Sequence, residues 1–588
     1  MIGSIQTQEG RRIPGWVADG LCVLAVLAAV CLRAGNYCAP TVMPDEMGYW
    51  CAGAFFAGFS WADVMGTSPY YSFGYGLILA PLFHLFEDPV WMFRAAIVLN
   101  GLFLVGVYLL AADSIRRVNL PLKSGTRRLA ALALALYSYQ IYNAQATQPD
   151  TVMVFFYWLV IWLLIGLLHS DRLWRTAALA VSVVYLFTLH MRNLGIVIAL
   201  CLLYLVLILC KVVRSRHIFV LVVMMTVGFA AVFAWKDIYT TAVWQGSAIA
   251  DINNTNTAFS TVGSLLSWQG LVQLAVNLLG RIFYLGCSTF LMFYWALWQV
   301  LRTLAGGVRR RRLQPLHWLQ LFCLLAMMGE MGISSLFMIQ PTRIDQILYG
   351  RYHEQVLGPL LLFGIAAVDR LSAKRTLLLL SLFHLALGGG LFAWIHAHGL
   401  QQTDYYPPSM AGVLAFPLPA SWPAALRYTL GAAGFSILCF VLLWLLVRMM
   451  RRPRAALAVL SAGWMLLGWG AGMIVLENGQ YAKAVYADLA AAVRTNYSDR
   501  EIYYVVSDGF PNGEVVSTEN FTVLNRKFFF PRTSLHLIEP SQLPQLAGRQ
   551  DTAVIVEENY VDADGLGTEY FLAMQCGSTQ LWLSDACT

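Results

Sequence analysis

The residues with the most chemical promise are carboxylates that follow proline at the start of apolar segments. Asp45 and Glu46 stand together after Pro44 in TVMPDEMGYW, and Asp150 follows Pro149 in YNAQATQPDTVMVFF. Adjacent carboxylates beside lipid are costly unless a cation, a metal or a substrate hydroxyl compensates their charge. A carboxylate held that way can accept a proton from an attacking alcohol. The same residues also suit a helix entrance, where Asp caps the first turn and Glu complements the dipole. Repetition bears on the choice: both turns on one side of the first four apolar spans carry Pro-Asp, so the acids can converge on one cavity.

Those turns need a membrane to lie against, and the composition supplies it. The 588 residues are 59% hydrophobic and 12% charged, with a mean hydropathy of +0.62. A soluble domain carries roughly 25% charged residues, so soluble globular and disordered classes are excluded. Apolar runs of spanning length fall at about 16–34, 90–111, 128–142, 150–168, 176–191, 194–210, 218–235, 276–301, 315–338, 355–368, 376–395, 425–447 and 455–475. They predict an α-helical polytopic membrane protein of about 13 transmembrane helices, with its termini on opposite sides. With the N-terminus inside, most of the 39 Lys and Arg fall in short inner segments, among them Arg11/Arg12, the 116–128 loop, Arg309–Arg312 and Arg448–Arg454. The positive-inside rule therefore predicts a cytoplasmic N-terminus. Basic charge divided in this way leaves no patch for nucleic acid.

The longer loops, 35–89, 236–275, 339–354 and 396–424, lie on the outer side, where function is expected. After the transmembrane domain, 1–475, the composition becomes that of a soluble domain, 476–588. Strand-like runs at 502–506, 534–538 and 552–558 predict a small extracytoplasmic α/β domain. No glycine-rich loop follows any of these strands, which argues against a nucleotide role. Cys576 and Cys587 share this tail, and their spacing leaves a disulfide open. Arginine outnumbers lysine 33 to 6, the bias of a GC-rich bacterial genome, and points to a plasma membrane.

On these residues the chain resembles the membrane glycosyltransferases of the GT-C superfamily, especially the branch with protein O-mannosyltransferases and the aminoarabinose transferase of lipid A. There a first outer loop opens with an acidic pair, matched by Asp45-Glu46, and a second outer turn carries an acid before the fourth span, matched by Asp150. Interfacial segments near 46–65 and the tyrosine-rich turn SPYYSFGYG also look like that family. One motif departs: where the branch often has Lys-Pro-Pro this chain has Ser68-Pro69-Tyr70, so lipid A is not carried over. The resemblance implies an inverting transfer of sugar from a polyprenyl-phosphate donor to an extracytoplasmic glycan, lipid or protein. It further implies Asp45 as the base, with Glu46 and Asp150 orienting sugar or acceptor, or holding a divalent ion such as Mg or Mn.

A departing lipid phosphate needs cationic donors in place beforehand. PTRIDQILYGRYHEQV offers Arg343 and Arg351 with Tyr352, and His190, Arg192 and Asn193 form a second cluster at the outer end of the fifth span. Arginine's planar fork suits phosphate oxygens, although Arg and Tyr also serve as interfacial anchors. Arg281 and Glu330 lie inside apolar runs and are expected to pair with each other. The rival class is a transporter or flippase of a lipid-linked substrate. It calls for midplane ionisable sites and paired repeats, whereas these acids sit at the outer mouth and no repeat is visible.

Overall fold

The computed structural model describes residues 14–66, 68–245, 262–400, 407–450, 453–510, 517–546, 549, 551–557 and 570–584. Arg11, Arg12, Arg451, Arg452 and Cys587 lie outside the described residues, and with Cys587 the disulfide expectation. Among the described residues ten helices are long and apolar enough to cross a membrane, from Gly15–Ala34 to Pro453–Val475. Two of the other expected spans are shorter apolar helices, Leu173–Leu189 and Glu354–Ala366. Many faces of these helices are apolar and uncovered, as at Leu205, Leu209, Phe219 and Val227, which suits a lipid solvent rather than water.

Helix ends follow local chemistry. The helix Pro89–Arg117 starts where the Asp88 carboxylate accepts the Val90 amide at 2.9 Å, and it ends on Arg116 and Arg117. Both ends complement the helix dipole.

Two apolar runs that read as single spans are broken. The expected 276–301 span is two helices, Trp268–Ser288 and Met292–Arg309, because Phe290 and Leu291 take left-handed conformations at φ 52 and 62. The Leu291 amide closes the turn on Gly286 O at 2.7 Å. Such a conformation costs an apolar L-residue roughly 1–2 kcal/mol, and hydropathy carries no trace of it. The expected 128–142 span is likewise Ser124–Ala135 followed by Ser138–Ala144. At this break the Tyr137 hydroxyl donates to Glu354 Oε1 at 2.5 Å and lies 2.8 Å from the Ser288 hydroxyl, whose proton it can accept.

The C-terminal part carries a five-stranded sheet in the order β2-β1-β3-β5-β4. Its strands are β1 (Glu501–Val505), β2 (Leu535–Ile538), β3 (Thr552–Glu557), β4 (Tyr570–Cys576) and β5 (Thr579–Ser584). β1 pairs in parallel with β2 and β3, whereas β5 runs antiparallel to β3 and β4. The first three coincide with the expected strands. The β4–β5 hairpin turns at Gly577, φ +62, a conformation that favours glycine.

The segment carrying this sheet is seated on the stretch between the helices Gly15–Ala34 and Pro89–Arg117. Phe528, Phe529 and Phe530 are fully buried, and the Phe528 ring meets Trp50 at 5.3 Å and Phe93 at 5.9 Å. Burying one such ring stabilises by about 1.5–3 kcal/mol. Polar contacts set the register: the Trp61 indole donates to Pro531 O at 2.9 Å, and Lys527 Nζ meets Asp63 Oδ2 at 2.7 Å.

Candidate functional site

Asp45 opens the helix Asp45–Phe56 and Asp150 opens Asp150–His169. One guanidinium joins them. Arg351, from the loop after Phe337, places Nη1 2.7 Å from Asp45 Oδ2 and Nη2 3.1 Å from Asp150 Oδ2, with Nε 3.3 Å from Asp150 Oδ1. Arg192 adds Nη2 at 2.6 Å from Asp150 Oδ1. Asp150, Arg351 and Arg192 are buried, whereas the Asp45 side chain keeps 16% of its surface open. Within these four residues two acids balance two arginines, the condition under which buried charges are tolerated.

The surrounding polar groups hold this pattern. The Tyr139 hydroxyl donates to Asp150 at 2.7 Å, and that of Tyr71 donates to Asp45 at 3.1 Å. Gln355 accepts from Arg192 at 3.0 Å and donates to Asn193 at 2.7 Å and Glu330 at 3.1 Å. Gly48 lets Tyr71 approach the helix face: a Cβ there would lie 2.2 Å from the Tyr71 ring. Tyr352 lies under Arg192, with the guanidinium carbon 4.7 Å from the ring centroid, and beside His190 at 5.7 Å. The His190 Nδ1 accepts the Arg192 amide at 3.2 Å.

Several residues stand elsewhere than the sequence suggested. Glu46 is buried, and both its oxygens are taken. Oε2 accepts the Thr41 and Val42 amides at 2.7 Å each, and Oε1 accepts the amide and hydroxyl of Thr147 at 2.6 Å each. It therefore ties two loops together instead of joining Asp45 at Arg351. Arg343 turns to its neighbour Asp345, at 3.0 and 3.1 Å. Arg281 and Glu330 do not pair. Arg281 donates to Ser334 and Asn277, while Glu330 accepts from Gln355.

The donor set does not fit a divalent ion at Asp45, Glu46 and Asp150. A guanidinium occupies the space between the two aspartates, and the Glu46 oxygens face amides. Among the described residues no group of three or more His, Cys, Asp or Glu side chains is arranged to hold a metal. Asn193, expected beside His190 and Arg192, does join the network, whereas Tyr71, Tyr139 and Gln355 are not marked out by the sequence. Gln355 alone carried a hint, four residues from Arg351 in a short polar loop; the tyrosines are indistinguishable in sequence from interfacial aromatics.

No family model matches the sequence, and no curated protein matches it. Among solved structures, the chain is similar to ArnT from Cupriavidus metallidurans in the apo state, with a TM-score of 0.53 at 14% identity over 97% of this chain and 98% of that one. It is similar to the same protein bound to undecaprenyl phosphate, with a TM-score of 0.51 at the same identity and coverage. With ten helices of spanning length among the described residues and a small terminal sheet, this shared architecture makes the chain a membrane protein of the GT-C fold.

Proposed function

We propose that this chain is an integral membrane glycosyltransferase. It takes a sugar from a polyprenyl-phosphate donor and passes it, with inversion, to an extracytoplasmic glycan, lipid or protein. The observation that carries this reading is the single guanidinium, Arg351, shared by Asp45 and Asp150. The reading is also supported by a fold shared with a protein whose structure holds undecaprenyl phosphate. The orientation follows from charge: N-terminus cytoplasmic, domain 476–588 outside, in a bacterial plasma membrane.

In this mechanism Asp45, the more open of the two aspartates, removes the acceptor's hydroxyl proton as that oxygen attacks the anomeric carbon. The bond from that carbon to the phosphate oxygen breaks, and the lipid phosphate leaves with an added negative charge. Arg351 couples the two events. Proton transfer neutralises Asp45 and leaves the four-residue cluster with one excess positive charge as the leaving group becomes more anionic. Charge placed where it develops is the strongest electrostatic lever a site has. Arg192 and Arg351 would contact the phosphate, with Tyr352 and His190 shaping the approach, while Asp150 holds both arginines.

The test uses purified protein in lipid nanodiscs with radiolabelled polyprenyl-phosphate pentose or hexose and an envelope extract as acceptor. Asp45→Asn is expected to abolish transfer while keeping the fold. Movement of the lipid-linked sugar across vesicles without transfer would replace the enzyme by a transporter.

A further inference from the structure

Glu46 and the external domain meet on one short segment, residues 38–42. From the outer side, Gln480 Oε1 accepts the Cys38 amide at 3.0 Å, and its Nε2 donates to Ala39 O at 3.0 Å and Thr41 Oγ1 at 2.9 Å. Lys483 Nζ donates to Pro40 O at 2.7 Å and to Thr41 Oγ1 at 2.9 Å. Both side chains belong to the helix Gln480–Asn496 and are buried. On the other side, the amides of Thr41 and Val42 donate to Glu46. Thr41 thus presents its hydroxyl to the external domain and its amide to the residue beside Asp45. The second Glu46 oxygen grips Thr147, three residues before Asp150, and Thr147 Oγ1 also accepts the Trp50 indole at 2.9 Å.

A chain of hydrogen bonds therefore runs from the external helix through 38–42 and Glu46 to both acid-bearing turns. Burial makes each link costly to leave unmade: a stranded amide or carboxylate here has no water to turn to. The pieces are held as one unit, and the separation of Asp45 from Asp150 is a property of that unit.

We propose that Gln480, Lys483 and Glu46 are positioning residues, by which the external domain fixes the relative placement of Asp45 and Asp150. This rests on the transferase reading above and adds to it a role for the C-terminal domain within the chemistry.

Kinetics in the nanodisc assay test it. Lys483→Met and Glu46→Gln are expected to lower kcat about tenfold to a hundredfold, the effect of a displacement of order 1 Å. KM for the polyprenyl-phosphate sugar should stay within about twofold, because the phosphate-contacting arginines are untouched. Lys483→Arg, which keeps a donor to Pro40 and Thr41, should recover most of the rate. The double variant should be no slower than Glu46→Gln alone, since both act through Thr41. Lys527→Met loosens the same domain at its Asp63 contact, away from 38–42, and should lower the melting temperature with kcat unchanged. An unchanged kcat in Lys483→Met, multiplying losses in the double variant, or rates that follow melting temperature across all variants would overturn the proposal. Absence of transfer by the unaltered protein would overturn the transferase reading and this one with it.

Discussion

Replacing Arg351 by methionine separates charge coupling from simple packing. Methionine keeps much of the apolar stem and removes a guanidinium that makes three contacts of 2.7–3.3 Å to two carboxylates. Two consequences differ in size. Asp150 keeps Arg192 at 2.6 Å and Tyr139 at 2.7 Å, so the stability loss should fall at or below the lower end of the roughly 3–5 kcal/mol seen when one partner of a buried pair is removed. Transfer should suffer more specifically, because a donor aimed at developing charge is worth about 10²–10³ in kcat. The measurement is single-turnover sugar transfer in nanodiscs, beside thermal unfolding of the same preparations. Arg351→Met combined with Asp45→Asn removes the carboxylate that Arg351 neutralises and leaves Asp150 paired with Arg192. It should recover stability relative to Arg351→Met while remaining inactive. Transfer by Arg351→Met within about tenfold of the unaltered rate would refute the charge coupling; failure of the double variant to recover stability would refute the buried pairing.

Other consequences can be checked separately. Gly48→Ala should push Tyr71 off Asp45, since the added carbon would meet the ring at 2.2 Å; the rate should fall at least as far as in Tyr71→Phe, where one hydrogen bond of about 0.5–1.5 kcal/mol is lost. Burial lowers the Lys483 pKa to about 8, so its protonated form is destabilising in the folded state. Above about pH 8 the folded protein gives up this proton before the unfolded chain does. Stability should therefore rise between pH 8 and 10.5 relative to Lys483→Met, by on the order of 3 kcal/mol, as read from pH-dependent thermal unfolding. His353 is buried with neither ring nitrogen hydrogen-bonded, and burial, with Arg281 and Arg192 nearby, holds its pKa well below the ordinary value. Only the unfolded chain gains a proton as pH falls below about 6.5, so unfolding on acidification should be milder in His353→Leu.

How much of the fold and the site is legible in the sequence depends on which physical scale carries the information. Lipid-length apolar runs are set by bilayer thickness, and all the expected runs but 128–142 and 276–301 fall largely on single helical stretches, because an unsatisfied backbone has nowhere else to go in hydrocarbon. Helix breaks at Phe290-Leu291 and Leu136-Tyr137 leave hydropathy unchanged, so they were invisible. The β4–β5 hairpin was missed for a related reason: β4 exposes apolar Phe571 and Leu572, which blurs the alternation that marks a half-buried strand. Arg351 could be selected as a donor from its loop and neighbours, but its bridge to two acids 201 and 306 residues away could not.

The adjacent pair Asp45-Glu46 shows why sequence spacing fell short at the site itself. Both residues have the same charge and stand in the same first turn, and each satisfies the motif equally well. Consecutive helical positions are turned by roughly 100° from one another, as 3.6 residues per turn requires. In this helix that rotation sends Asp45 toward Tyr71 and Arg351, at a position that keeps some access, and Glu46 toward the amides of residues 41, 42 and 147. A carboxylate with four protein donors has little lone-pair capacity left for an incoming hydroxyl. The division of labour between two neighbouring acids thus comes from helix geometry acting on what lies at either side. It yields a sharp contrast: Glu46→Gln should keep residual transfer that Asp45→Asn lacks, and equal loss in the two would mean that the assignment of base and tie is wrong.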